Sequence, residues 1–258
     1  EVRGSSDEVG YTLGRPTSLL GSGGRQRTIA FLVQDNWQAT DKLNLNLGLR
    51  IDSWKNVDAL STSRPLQTNA ASVTLFPDRD ETAVSPRVAA IYQFTPNVSA
   101  YGSYTRSFRA PTLNELYRGF RVGNIVTQAN EDLRAEYADT FEGGAAVGML
   151  GRRLNLRGNV FVTRVSDPVV SVTLSATPTL ITRQRQNVGE TRTAGAELDV
   201  EYSLLRDVKL SASFLLADPT VTRFPASPEL VGKGLPQVAR QQMTFQFSYR
   251  PPTRFSFS

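Results

Sequence analysis

The most regular stretch of the chain is KLNLNLGLRIDSW, residues 42–54. Leu43, Leu45, Leu47, Leu49 and Ile51 fall on one side, and Asn44, Asn46, Gly48, Arg50 and Asp52 on the other. A period of two belongs to a pleated strand and not to a helix. The pattern returns at 152–163, where Leu154, Leu156, Val160 and Val162 oppose Arg153, Asn155, Arg157 and Asn159, and at 241–249, where Met243, Phe245, Phe247 and Tyr249 oppose Gln242, Thr244, Gln246 and Ser248. Weaker copies occupy 28–39, 86–94, 98–107, 136–149, 191–203 and 207–217, and residues 253–258 begin one more. With a less regular segment at 179–187, the periodicity predicts an all-β, antiparallel chain of about ten or eleven strands with no long helix.

Length and connection separate two kinds of antiparallel sheet. A soluble strand is typically about 5–6 residues, whereas a tilted membrane-crossing strand needs about 9–11, and most of these segments reach the longer value. Short links fall near 39–42, 95–97, 150–152, 205–207 and 250–253, and long ones near 55–84, 108–135, 166–178 and 218–236. They alternate strictly, as short periplasmic turns and long outer loops do in an up-and-down barrel of the bacterial outer membrane. A soluble sandwich shares the period in any single strand. It does not place all its long loops at one end, nor fill its solvent face with small uncharged polar groups. In a barrel that polar face lines an enclosed lumen and the apolar face meets lipid. Trp37, Tyr92, Phe94, Tyr202 and Tyr249 lie within a few residues of short links, where amphipathic rings sit at the headgroup level.

Composition narrows the chemistry. The 258 residues are 40% hydrophobic and 21% charged, and no run approaches the ~18 apolar residues of a membrane-spanning helix. There is no cysteine and no histidine, which removes disulfides, thiol nucleophiles, imidazole bases and Cys/His metal sites together. Carboxylate or Ser-Lys chemistry remains, but Lys233 has no Ser-x-x-Lys context, and no Gly-x-Gly-x-x-Gly or Walker A pattern occurs. The chain is therefore expected to be no enzyme and to hold no cofactor. Asp78, Asp80 and Glu81 in PDRDET have the makings of a surface calcium loop, but a solvated charged loop is preferred and no metal site is assigned. The net charge of +5 invites a nucleic-acid partner; the arginines are scattered instead of gathered, so none is expected.

One passage is more specific. SPRVAAIYQFTPNVSAYGSYTRSFRAPTLNELY, residues 85–117, resembles the barrel of TonB-dependent outer-membrane receptors, with its Ser-Pro-Arg strand, short turn, Tyr-rich strand and Phe-Arg-Ala-Pro-Thr-Leu-x-Glu-Leu-Tyr passage. EDLRAEYADTFEGG, residues 131–144, matches the next marker, with Arg134 and Ala135 where many members have Lys and Pro. RQNVGETRTAGAELDVEYSL, 185–204, and VGKGLPQVARQQMTFQFSYRPP, 231–252, match two later ones, Ala239 standing for a second Pro. Residues 1–84 carry no comparable signature.

The resemblance implies a barrel of about 22 strands with its lumen plugged, importing a scarce nutrient such as a ferric siderophore or a cobalamin-like chelate with energy from the TonB complex. Residues 1–258 are then expected to be an incomplete barrel domain, without the N-terminal plug or the C-terminal strands. Expected partners are outer-membrane lipid and lipopolysaccharide, the TonB complex through the plug, and the chelate. The alternative is a passive porin- or adhesin-type barrel. The break after Arg106 is read as a strand leaving the membrane: Pro111 has no N–H for the ladder, Arg106 and Arg109 can reach lipopolysaccharide phosphates or loop carboxylates, and Thr112 with Glu115 forms a capping box. Loops 108–135 and 166–190 are the candidate ligand contacts. Arg109, Tyr117, Arg118, Phe120 and Arg121 in the first, and Arg183 and Arg185 in the second, mix aromatic and cationic groups suited to an anionic, ring-bearing chelate.

Overall fold

The leucine ladder of 42–54 lies within β3 (Leu43–Pro65), and its register with both neighbours fixes the sidedness of the sheet. The computed structural model describes residues 1–12, 15–235 and 238–250. Around β3 stand β1 (Val2–Thr12), β2 (Arg15–Gln38), β4 (Ser72–Leu75), β5 (Arg79–Thr95) and β6 (Val98–Arg109). There follow α1 (Leu113–Tyr117), β7 (Phe120–Val122), β8 (Ile125–Gln128), β9 (Glu136–Met149) and β10 (Leu154–Ser166). β11 (Val169–Ala176), β12 (Ile181–Asn187), β13 (Glu190–Leu205), β14 (Val208–Arg223), a short 3-10 turn and β15 (Gln241–Tyr249) complete the chain. One antiparallel sheet runs β1-β2-β3-β5-β6-β9-β10-β13-β14-β15, with β4 on the upper end of β3. Consecutive wall strands are neighbours throughout, so the sheet is an up-and-down meander that stays unclosed, a partial barrel wall.

Register carries the apolar positions from strand to strand. Phe31 pairs with Ile51 and Ile51 with Val84; Val88 pairs with Tyr104, Tyr104 with Phe141 and Phe141 with Val162. Val162 pairs with Ala194, Ala196 with Leu216 and Phe214 with Met243. Side chains alternate across a strand, so these residues form one continuous band. Nothing covers it: Phe31 is 64% exposed, Val160 62% and Phe245 74%. The opposite side carries Asn44, Arg87, Gln93, Ser103, Asn155, Arg157, Glu197, Asp199 and Gln246, with Leu32, Ile91, Tyr101, Phe161 and Leu215 among its apolar or aromatic exceptions. A concavity of about 910 Å³ on that side, near the short turns, is lined by Gln93, Arg152, Asn155, Arg157 and Asp199. A sheet with an uncovered apolar face and a concave polar one is the wall of an outer-membrane barrel, not half of a sandwich. No helix of the described residues is long and apolar enough to cross a membrane.

The ends of the strands sort as the alternation predicts. Links of a few residues, 39–42, 96–97, 150–153 and 206–207, lie at one end, and 66–78, 110–135, 167–189 and 224–240 at the other. The strands at the long-loop end are longer than the periodicity indicates. β2 begins at Arg15, β3 continues to Pro65 and β5 starts at Arg79, so the expected link 55–84 contracts to 66–78. At about 3.3 Å per residue the 24 residues of β2 span roughly 80 Å, against about 30 Å of hydrocarbon. Above the membrane both faces of a strand meet water, so the alternation fades. Segments such as GSGGRQR in β2, and the whole of β1, then read as loop. Residues 179–187 contain a strand, β12, but it belongs to a second sheet over the loops and not to the wall. The strand expected to start at 253–258 lies outside the described residues.

Candidate functional site: a cap built from two loops

The stretch that breaks after Arg106 opens a seam in the wall. β5 and β6 stay paired only up to Arg87↔Thr105. β5 goes on pairing β3 as far as Arg79, and β6 goes on pairing β9 as far as Arg109↔Glu136. Apolar groups fill the gap. The Phe108 ring stacks on Trp54 with centroids 5.2 Å apart, and Ala83, Ala110, Ala135 and Tyr137 pack around them. Pro111 then ends the ladder and its carbonyl accepts from Gln26 Nε2 at 3.3 Å. Thr112 caps α1 reciprocally with Glu115: the Glu115 N–H donates to Thr112 Oγ1 at 3.2 Å, and the Thr112 N–H to Glu115 Oε2 at 2.9 Å.

α1 lies on the upper strands. Leu116, Tyr117, Leu133 and Ala59 form a buried cluster with Phe76, Leu113 and Val169 at its margin. β7 and β8 form a hairpin, β11 and β12 form another from the next long loop, and β8 pairs in parallel with β12 from Ile125↔Ile181 to Gln128↔Gln184. The two loops are therefore one four-stranded sheet, ordered β11-β12-β8-β7. Side chains fasten them further. Asn187 Nδ2 donates to the carbonyls of Arg134 at 2.9 Å and Asp167 at 2.7 Å, while its Oδ1 accepts from the Arg134 N–H at 2.7 Å. Asn130 Nδ2 donates to the Arg185 carbonyl at 2.7 Å.

The seven candidate residues divide within this cap. Arg109 is taken up by structure, its guanidinium 2.9 Å from Glu115 and 2.5 Å from Glu136. Burial pulls the Glu115 carboxyl upward, but Arg109 and the Thr112 N–H and hydroxyl outweigh it and hold the group below its ordinary value. Tyr117 is 3% exposed, packed 4.8 Å from the Phe76 ring centre, and burial pushes its phenol up. It supports the cap from within. Arg118, Phe120 and Arg185 come together: both guanidiniums lie 5.4 Å from the centre of the Phe120 ring. Arg118 also pairs with Glu8, and Arg185 Nη1 donates to the Asn114 carbonyl at 3.2 Å. Arg121 is exposed at the same hairpin, bonded through Nε to the Gly123 carbonyl at 2.9 Å. Arg183 sits on β12 opposite Thr127 and Thr173 and makes no ion pair among the described residues.

Between β7–β8 and the upper ends of β1–β4 lies a cleft of about 410 Å³. Phe120 and Arg121 line one wall; Glu8, Tyr11 and the hydroxyls of Ser6, Ser18, Ser22, Ser61 and Thr62 line the other. The periodicity gave no sign of that second wall, because β1 and the start of β2 lack a lipid-facing side. The glycines and serines clustered at 4–6 and 21–24 mark small residues lining a recess only once the strands are known. A cleft of hydroxyls and aromatic rings with the Arg121 guanidinium in its wall, and with Arg118 and Arg185 gathered at Phe120 beside it, can bind an oxygen-rich anion with ring groups. Asp78 and Asp80 face Lys55 at 3.5 and 4.0 Å, and Glu81 pairs with Arg79 at 2.5 Å. Among the described residues no His/Cys/Asp/Glu group could hold a metal ion.

The family model for the TonB dependent receptor-like β-barrel matches residues 3–258. Among curated relatives, an uncharacterized TonB-dependent receptor of Haemophilus influenzae is 21% identical over 86% of this chain and 58% of its own. A probable TonB-dependent siderophore receptor, PiuA, of Acinetobacter baumannii is 28% identical over 87% of this chain and 29% of its own. This chain thus spans less than two thirds of either relative. Of solved structures, the siderophore receptor PiuA from Acinetobacter baumannii superposes with a TM-score of 0.62 at 24% identity, covering 91% of this chain and 32% of that one. The ferric yersiniabactin uptake receptor FyuA from Yersinia pestis gives 0.71 at 15% identity, covering 98% and 36%.

Proposed function

Since the chain belongs to the β-barrel family of TonB-dependent receptors, an outer-membrane family, we propose that it forms part of an active importer of a scarce nutrient. The cargo best suited to the cap is a ferric siderophore or a similar anionic chelate. One observation carries this reading: two loops from different strand pairs are joined into a single sheet, and the Arg118 and Arg185 guanidiniums each come within 5.4 Å of the centre of the Phe120 ring. A passive pore has no use for such a preorganised cap, and no feature favours the porin- or adhesin-type alternative. The relative described as a probable TonB-dependent siderophore receptor supports the choice of cargo.

In this reading the ligand's ring groups lie on Phe120, its anionic oxygens meet Arg118, Arg121 and Arg185, and the hydroxyls of β1–β3 complete its shell. Rigid aromatic and guanidinium groups lose little freedom on binding. The metal arrives inside its chelator, so the protein needs no histidine or cysteine ligand. Release into the lumen is driven by the TonB complex acting through the plug domain that the family resemblance implies. The test uses the full-length receptor in cells that depend on it for iron. Arg118→Ala with Arg121→Ala is expected to weaken binding of radiolabelled ferric catecholate or hydroxamate complexes by about tenfold. Affinity within about twofold of the parent would sink the ligand assignment. Uptake that persists without the TonB complex would sink the importer itself.

A further inference from the structure

Directly above the apolar band, on its own side of the wall and at the long-loop end, the register sets four charged residues in one row. Arg106 of β6 pairs with Asp139 of β9, Asp139 with Arg164 of β10, and Arg164 with Arg192 of β13. Two residues below them on each strand lie Tyr104, Phe141, Val162 and Ala194, paired in the same order. The one carboxylate of the row is occupied. Asp139 Oδ1 accepts from the Tyr104 hydroxyl at 2.7 Å and lies 3.9 Å from Arg106 Nε, and the Arg106 guanidinium rests 4.8 Å from the centre of the Tyr137 ring.

Arg164 and Arg192 have no such partners. Both are exposed, and among the described residues neither side chain makes a hydrogen bond or ion pair. The acids nearest in the register are engaged elsewhere: Glu190 accepts from the Thr222 hydroxyl at 3.3 Å, and Asp218 lies 3.8 Å from Arg240. Like charges directly opposite each other on one face of an antiparallel pair destabilise it. An external anion between them relieves that repulsion, and the place of the pair at the rim of a hydrocarbon-facing band points to where such an anion comes from.

We propose that Arg164 and Arg192, flanked by Arg106, seat a phosphate monoester of an outer-leaflet lipid headgroup, the acyl chains of that lipid lying on Val160, Val162 and Leu198 below. Cross-strand partners hold their Cβ atoms about 5 Å apart, so the two guanidinium forks bracket one phosphate with charge-assisted hydrogen bonds. Two cations match a monoester dianion better than the single charge of a phospholipid diester. The site concerns the lipid around the wall and does not depend on what the loop cap binds.

The test is native mass spectrometry of the full-length receptor in non-ionic detergent with diphosphorylated lipid A as probe. One bound lipid is expected on the parent, and occupancy lower by about tenfold in Arg164→Gln/Arg192→Gln, with Arg153→Gln at the short-turn end as an unaffected control. The parent is also expected to discriminate against the same lipid stripped of phosphate. Equal occupancy in the double variant, equal retention of the dephosphorylated lipid or of phosphatidylglycerol, or displacement by millimolar inorganic phosphate would each overturn the proposal. Should the double variant fail to fold, the comparison of phosphorylated and dephosphorylated lipid on the parent decides.

Discussion

Arg109 shows how a residue suited to ligand binding is consumed by structure. It joins the last wall residue of β6 to the helix that caps the loops, with Glu115 and Glu136 as its two anchors. Glu115 is 18% exposed at its side chain, so Arg109→Ala leaves a half-buried carboxylate without its cation. The expected loss is about 1–2 kcal/mol of local stability after allowing for solvent at the arginine, read as faster hydrogen exchange in α1 with the wall strands unchanged. pH acts through the same pair. The folded pKa of Glu115 lies below its ordinary 4.5, so its contribution is complete above about pH 4.5 and is lost as the pH falls through the lower folded value. Exchange in α1, corrected for intrinsic rate, is therefore expected to accelerate only on acidification below that point, and Arg109→Ala weakens the dependence to the share held by the Thr112 N–H and hydroxyl. Leu133, 0% exposed against Leu116 and Tyr117, is the cap's apolar pin. Leu133→Ala is expected to cost about 2–4 kcal/mol, seen as proteolytic cleavage within 110–135 while the barrel stays intact.

On the polar side of the wall, strands are spaced by glycine facing aromatic rings. Tyr101 pairs with Gly144 and Phe161 with Gly195. A Cβ at Gly144 would meet the Gly158 carbonyl oxygen at 2.5 Å and the Tyr101 ring at 2.7 Å; one at Gly195 would meet the Phe161 ring at 2.4 Å and the Leu216 carbonyl oxygen at 2.6 Å. The rings lie flat over bare backbone, a device that pins register in curved sheets. Gly195→Val is expected to lower the fraction of folded, heat-modifiable receptor on unheated gels several-fold, whereas Gly158→Ala, with nothing within 4 Å of the new atom, leaves it unchanged. The same elements show what the sequence discloses and why. Wherever one face meets lipid, as in Leu43–Ile51 or Met243–Tyr249, alternation is strong and the strand is plain. Wherever both faces meet water, as in β1 or the upper halves of β2 and β3, the cue vanishes although the hydrogen-bonded ladder continues. The candidate site suffers from the same loss. Arg118, Phe120 and Arg185 stand out by residue type, but the β8–β12 pairing that unites them joins residues 56 apart, and no local pattern announces it. Nor does type alone separate Tyr117, which is buried, from Phe120, which is not.

For the molecule as a whole, everything depends on which solvent touches each side of the wall. Large apolar side chains are exposed in one continuous band along eight wall strands, β2, β3, β5, β9, β10, β13, β14 and β15, while the few buried hydrophobics among the described residues gather mostly beneath the loops and at the β5–β6 seam. A chain folded by a dry interior would show the reverse. The driving force for the wall is therefore transfer of that band into hydrocarbon together with complete strand pairing, since an unpaired peptide group in lipid costs several kcal/mol. This yields a test that a soluble sheet fails in the opposite sense. Val160 lies within the band, paired with Gly143 and Ala196; Asn159, its sequence neighbour, faces the polar side opposite Glu197. In the full-length receptor, Val160→Arg is expected to reduce the free energy of folding into lipid vesicles by about 2–4 kcal/mol. Asn159→Arg should change it by less than about 1 kcal/mol, because the new guanidinium enters a wet lumen beside a carboxylate. If urea titration gave the two variants equal costs, or the larger one to Asn159→Arg, the outer face of this sheet would not be the lipid face.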